Sequence, residues 1–85
     1  MTTREITLIK SILNYLHALD GGQADEFTIH RDVRLALNPP PSALEVRAAI
    51  VECDARCFVT GVPAKFSGKM KWNLTDLGES ARLEM

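Results

Sequence analysis

The sequence lacks any long apolar run and any excess of charge of one sign. Its longest apolar runs are only a few residues, too short to cross a bilayer, and the segment MTTREITLIK lacks the cleavable pattern of a signal peptide. We therefore expect a cytoplasmic protein with no membrane contact. With 10 basic and 11 acidic side chains and a net charge of −1, the chain has no global attraction to nucleic acid. Any nucleic-acid contact would need a local basic patch.

Cysteine is scarce, with Cys53 and Cys57 as the two examples. They stand four residues apart in a segment predicted to be helical, where a disulfide between them has poor geometry, so we expect reduced thiols. A metal site that combines them with His17 or His30 has little support, because a single C-x-x-x-C pair is weak evidence and buried cysteines commonly act as small apolar residues.

The motifs of common enzymes are missing as well. The chain contains no nucleophile motif, no glycine-rich phosphate loop and no carboxylate pair in an evident cleft, so we expect no catalysis, no cofactor and no small-molecule substrate. Its 85 residues, 46% apolar and 25% charged, match one ordinary globular domain covering residues 1–85.

Helical signals begin at the N-terminus. Thr2 and Glu5 have the spacing of a capping box, and the apolar residues that follow fill an arc of roughly 160° on a helix. These residues are Ile6, Leu8, Ile9, Ile12, Leu13, Tyr15, Leu16 and Leu19. The arc is wider than one neighbouring helix covers. Asp20-Gly21-Gly22 is predicted to end the helix, with a glycine in the left-handed conformation.

The middle of the chain predicts a strand and two helices. Alternation over Glu26–His30 indicates one short strand, and a brief second helix is predicted to follow Asp32. Three prolines at 39–41 end it, because proline lacks an amide donor and disfavours helix before it. A second capping box at Ser42 opens a third helix that runs to about Arg56.

A hairpin is predicted in the second half of the chain. Phe58–Val62 is rich in β-branched and aromatic side chains, and Met70–Leu74 alternates so that its apolar side chains share one face. The loop between them is longer than a tight turn. A last short helix is predicted from Asp76 to about Leu83, capped by Thr75.

This order of elements resembles the winged-helix family over nearly the whole chain. The spacing of Val46, Ile50 and Cys53 before Cys57-Phe58-Val59 is similar to the family's third helix and wing entry. The stretch Trp72–Glu79 is similar to the second wing strand and Leu-Thr-x-x-Gly ending of bacterial winged-helix regulators. Cys57 stands where the family usually has glycine, so the turn must tolerate a Cβ or differ in shape. The resemblance implies an α+β fold: a three-helix bundle with a short strand, a two-stranded hairpin wing and a short C-terminal helix.

In the family, the third helix generally enters the major groove of DNA. The predicted core face of this helix comprises Val46, Ile50, Cys53 and Cys57. The opposite face then carries Leu44, Ala48, Val51 and Ala55, with Glu45, Arg47, Glu52, Asp54 and Arg56 beside it. That surface is weakly apolar and net acidic. Arg47 alone suits a guanine edge or a phosphate, and three carboxylates would repel phosphates, so we expect no strong base recognition by this helix.

The hairpin is the basic part of the chain, since no acid occurs from Phe58 to Thr75. Its lysines can follow a phosphate backbone or enter a minor groove; alternatively, they protect the edge strands from aggregation. Arg31 and Arg34, near the second helix, can clamp phosphates or instead neutralise Asp32 or Glu26. The candidate nucleic-acid contacts are therefore Arg34, Arg47, Lys65, Lys69 and Lys71.

The apolar surfaces support a different function. Leu44, Ala48 and Val51 form a stripe that, together with the wide arc of the first helix, exceeds the needs of one small core. Such surfaces usually mark a protein contact, in a homodimer or with a larger partner, unless short flanking helices cover them. Two hypotheses stay open: a regulator-like protein with modest affinity for double-stranded DNA, and a protein-interaction module without DNA binding.

Overall fold

A computed structural model describes residues 2–20, 22–63 and 68–85 of the chain. The described elements are, in order, α1 (Thr3–Ala18), β1 (Ala24–Asp25), α2 (Glu26–Val33), α3 (Ala43–Ala55), β2 (Val59–Pro63), β3 (Met70–Leu74) and α4 (Asp76–Glu84). The strands form one antiparallel sheet in the order β1-β3-β2. The arrangement is the predicted α+β winged helix, with α1, α2 and α3 in a bundle beside the β2–β3 hairpin. Over the described ranges, no helix has the length and apolar character needed to cross a bilayer.

The core forms around α1, which packs against α2, α3, α4 and β3. Its buried side chains are Leu8, Ile9, Ile12, Leu13 and Leu16. Tyr15 and Leu19 pack against the core and are partly buried, and Ile6 is 39% exposed. Neighbouring elements thus cover most of the apolar arc of α1, and the broad surplus surface expected there is absent from this fully described helix.

Helix α1 ends just before the predicted Asp20-Gly21-Gly22 segment. Asp20 has the left-handed backbone conformation, with a φ of 50°. Its amide donates to the carbonyl of His17, which closes the helix. Aspartate tolerates this conformation better than most residues, because its short polar side chain can bond locally. Gly21 lies outside the described residues.

The strand predicted over Glu26–His30 is wrong, because α2 already begins at Glu26. Strand β1 is limited to Ala24–Asp25, whose residues pair with Trp72 and Lys71 of β3. The Asp25 carboxylate accepts the amide of Thr28 at 2.8 Å and so caps α2. The buried side chains of α2 are Ile29 and Val33, four residues apart. The eight-residue segment Glu26–Val33 therefore follows the apolar spacing of a helix, although its first five residues also alternate like a strand.

The brief helix predicted after Asp32 is also wrong. Helix α2 ends at Val33, and residues 34–42 form turns, bends and irregular chain up to the start of α3. Leu35 in this stretch is 85% exposed, whereas Leu37 packs partly buried against the core.

Helix α3 has nearly its predicted bounds. The Ser42 hydroxyl accepts the amide of Glu45 at 3.1 Å and caps the helix. Val46, Ile50 and Cys53 are buried, as the helical spacing predicts. This inward face leaves the opposite side of α3 on the surface.

Cys57 is a correction, because its thiol is exposed rather than part of the core face. It follows α3 with a φ of 62°, in the left-handed region. Its amide donates to the Asp54 carbonyl, and the Phe58 amide donates to the Cys53 carbonyl. These two bonds form a Schellman motif, whose left-handed residue is usually glycine. The turn therefore keeps the shape that glycine favours and tolerates the Cβ of cysteine.

The predicted hairpin and last helix are both present. Strand β2 pairs with β3 from Val59 opposite Leu74 to Pro63 opposite Met70, and residues 64–67 of the loop lie outside the described residues. Helix α4 packs closely against the entry to β2, because a Cβ on Gly78 would lie 2.1 Å from the Phe58 carbonyl oxygen. Glycine is thus required at this point of the Leu-Thr-x-x-Gly motif.

Candidate nucleic-acid interface

The outward side of α3 is an apolar stripe that the rest of the described chain leaves uncovered. Leu44 is 76% exposed and Val51 is 60% exposed, with the exposed Ala48 between them. Their placement follows from the burial of the opposite side of the helix. We call these three residues the α3 stripe. Burying the stripe against a partner would be favourable, because removing apolar side chains from water lowers the free energy.

Arg47 lies next to the stripe, and its guanidinium is already engaged. Its Nε and Nη2 donate to the two carboxylate oxygens of Glu26 at 2.9 and 3.1 Å. This hydrogen bonding raises the pKa of Arg47 and joins α3 to the first turn of α2. Glu26 therefore pairs with Arg47 rather than with Arg31 or Arg34, for which it was one of the candidate partners.

Two of the three acids expected to repel phosphates are paired with arginines. Glu45 accepts from Nε and Nη2 of Arg4 at 2.6 and 3.0 Å, which lowers the pKa of its carboxyl. Glu52 accepts from Arg56, one turn further along α3, at 2.6 Å. Asp54 forms no ion pair within the described ranges. Arg4 adds a positive charge beside the stripe and Glu26 adds a negative one, so the net charge of this surface stays weakly negative.

The lysines of the hairpin lie beside the start of α2. Lys71 Nζ is 4.0 Å from the Asp25 carboxylate. The pKa of Asp25 is lowered, first by the hydrogen bond from Thr28 and to a smaller degree by the charges of Lys71 and Lys69. Asp25 thus offsets part of the positive charge of the hairpin. Lys65, the third predicted contact, lies outside the described residues.

Arg34 lies apart from the other candidate contacts. It follows the last residue of α2, eight positions beyond Glu26, which corresponds to roughly 12 Å along a helix axis. Its side chain is exposed and makes no hydrogen bond or ion pair within the described part of the chain. The structure therefore brings Arg47 and the hairpin together at one end of α2 and leaves Arg34 at the other end.

A cleft of about 440 Å³ separates α3 from the hairpin. Phe27, Val51, Met70 and Trp72 contribute its apolar walls. Phe27 is 68% exposed and Met70 is 42% exposed, so the apolar surface extends from the α3 stripe across the cleft. Neither residue was predicted as part of a site, because Phe27 falls in the strand predicted over Glu26–His30 and Met70 shares the apolar face predicted for the second hairpin strand. Recognising Asp25 as a helix cap would have placed Phe27 in the first turn of α2.

The remaining polar groups do not form a recognisable catalytic or metal site. In the described chain, no three His, Cys, Asp or Glu residues converge as metal ligands. Neither cysteine is in a disulfide, and burial raises the pKa of the Cys53 thiol to about 12. His17 Nδ1 lies 2.6 Å from a Glu79 carboxylate oxygen and joins α1 to α4 on the other side of the fold.

These features define the class of the chain by its fold: it is a winged helix with an uncovered third helix beside a basic hairpin. Among solved structures, it is similar to a transcriptional regulator from Clostridium thermocellum, with a TM-score of 0.80. The two sequences are 11% identical, and the match covers 99% of this chain and 82% of the other. At this identity the likeness shows the fold alone. No protein-family model and no curated protein matches the sequence.

Proposed function

We propose that this chain is a non-catalytic, regulator-like winged-helix protein that binds double-stranded DNA through α3 and the hairpin. The observation that carries the proposal is that α3 is uncovered and its acids Glu45 and Glu52 are paired with arginines. Each pair holds a guanidinium against a carboxylate, which weakens the repulsion that the carboxylate alone would exert on a phosphate. The name of the structural neighbour, a transcriptional regulator, supports the same function.

The hairpin lysines supply the electrostatic attraction in this proposal. Lys65, Lys69 and Lys71 belong to a stretch of 18 residues, Phe58 to Thr75, that contains no acid. Their charges suit the phosphate backbone, which positions a protein on DNA without selecting a sequence. Arg47 and Arg34 are secondary contacts, because Glu26 neutralises Arg47 and Arg34 lies at the far end of α2. We expect a modest affinity with a steep dependence on salt.

The test is a salt titration with a labelled duplex. Affinity should fall steeply between about 50 and 200 mM salt, and the double substitution Lys69→Ala, Lys71→Ala should reduce the slope of log K against log salt by roughly 2. Lys10→Ala is the matched control, because Lys10 lies on α1 and its ammonium donates to the Met85 carbonyl. No salt-sensitive binding at low salt, or an equal effect of Lys10→Ala, would contradict the proposal.

A second candidate function is a protein-interaction module that docks through the α3 stripe. The specific observation in its favour is the exposure of Leu44 and Val51, with Phe27 and Met70 extending the apolar surface. Large exposed apolar patches usually mark contacts between proteins. A homodimer is the simplest form, and its test is the molar mass in solution for wild type, Leu44→Asp and the control Leu83→Asp. A mass that stays monomeric at high concentration, or a dimer that Leu44→Asp leaves intact, would contradict this candidate.

A further inference from the structure

We propose that α3 distinguishes DNA sequences through the C5-methyl groups of thymine, with Leu44 and Val51 as the contacting side chains. The inference rests on the proposed DNA binding and adds a sequence preference to it. It assigns the α3 stripe a role in specificity, whereas the hairpin lysines contribute affinity that is independent of sequence.

The first step is that Glu45, Arg47 and Glu52 of α3 are already engaged in ion pairs, whereas Asp54 is a carboxylate and can only accept hydrogen bonds. Both oxygens of Glu26 hold the Arg47 guanidinium, which was the predicted reader of a guanine edge. Glu45 is held by Arg4, and this arginine also donates to the Pro39 carbonyl at 2.9 Å. Using any of these groups on a base would first require breaking a charged pair inside the protein. The stripe itself carries no hydrogen-bonding side chain.

The second step is the chemistry of the major groove. Guanine, cytosine and adenine present donors and acceptors there, whereas thymine also presents a methyl group. An apolar stripe that enters the groove therefore gains most from a thymine methyl and leaves the donors and acceptors of the other bases without partners. The stripe on its own thus favours thymine over the other three bases.

The third step is a match of dimensions. Leu44 and Val51 stand seven residues apart, roughly 10 Å along the helix. Base pairs rise by about 3.4 Å per step, so side chains this far apart can reach two different base pairs. Ala48 between them has a side chain too small to protrude beyond Leu44 and Val51, so both larger side chains can approach bases at the same time. Val51 also borders the cleft with Phe27 and Met70, which surrounds a methyl group with apolar atoms.

The charges around the stripe favour DNA over an apolar protein as the occupant. The hairpin beside the cleft contributes Lys69 and Lys71, and Lys69 lines the cleft itself. A duplex places a methyl group and flanking phosphates within the same short distance, so one ligand can contact the apolar stripe and also attract the positively charged lysines. An apolar protein surface would contact the stripe but would not attract the lysines.

The experiment compares an alternating dA·dT copolymer with the alternating dA·dU copolymer, which lacks only the C5-methyl groups. Burial of one methyl corresponds to roughly fourfold in affinity, so two contacts give roughly fifteenfold tighter binding to the thymine duplex. The double substitution Leu44→Ser, Val51→Ser should abolish this ratio, because the variant should bind the thymine and uracil duplexes with equal affinity. Leu83→Ser on α4 is the control, since Leu83 is 74% exposed, and it should keep the wild-type ratio.

The outcomes separate this inference from the function on which it rests. Salt-sensitive binding to both duplexes with equal affinity would overturn the methyl contact and leave DNA binding in place. An undiminished thymine preference in the double variant would overturn the assignment to Leu44 and Val51. Absence of binding to either duplex would overturn the proposed function and this inference with it.

Discussion

The substitution Cys57→Gly should stabilise the protein, because Cys57 has a left-handed backbone conformation at the end of α3. A left-handed conformation costs an L-residue roughly 1 to 2 kcal/mol, and glycine avoids most of this cost. Glycine also has more freedom in the unfolded chain, which offsets roughly 0.5 to 1 kcal/mol of the gain. The thiol is exposed, so its removal sacrifices little packing. The net increase in the free energy of unfolding is about 0.5 to 1 kcal/mol.

Thermal and urea unfolding measure this increase directly. For a domain of this size, the gain corresponds to a rise in Tm of roughly 2 to 8 °C. Cys57→Ala is the control, because it removes the thiol and keeps the Cβ in the same backbone conformation, so its stability should match the wild type within about 0.5 kcal/mol. A glycine variant no more stable than the alanine variant would refute the assignment of strain to this turn.

Two further predictions concern packing and pH. Gly78→Ala should destabilise the fold by about 1 to 3 kcal/mol in urea unfolding, because the added Cβ would collide with the Phe58 carbonyl oxygen. Ser80→Ala on the exposed side of α4 is the control. An effect of Gly78→Ala no larger than that of the control would be inconsistent with the close packing. Arg4→Ala should reduce stability at neutral pH and have a smaller effect in acid. The pKa of Glu45 is lowered in the folded state, so its pairing contributes above the ordinary pKa of glutamate and is lost as the pH falls through the folded value. Urea unfolding at neutral and acidic pH checks this difference, and an effect of Arg4→Ala that does not shrink in acid would argue against the pairing.

Three helix starts could be predicted from the sequence because each has a local chemical signal. Thr2, Ser42 and Thr75 each accept an amide three residues later, and each precedes a segment with buried apolar residues at helical spacing. The start of α2 was missed because Asp25 is both the last residue of β1 and the cap of the helix. Because Asp25 has both roles, the five residues that follow it do not by themselves distinguish the start of a helix from a strand.

The candidate site was predictable where it depends on helical spacing alone. The exposure of Leu44 and Val51 follows from the burial of Val46 and Ile50 on the same helix. The Arg47–Glu26 pair could not be predicted, because it joins residues 21 positions apart and requires α2 to begin at Glu26. Ion pairs between separate elements depend on tertiary geometry, which a local sequence pattern does not contain.

The most direct test of the central claim maps the duplex-binding surface by NMR, following amide chemical shifts while a short duplex is added. We expect the largest changes at the α3 stripe, Leu44, Ala48 and Val51, and at Lys69 and Lys71 of the hairpin. Amides of α4 around Leu83 should change little. Changes centred on α1 and α4, or none at low salt, would contradict a nucleic-acid interface on α3 and the hairpin.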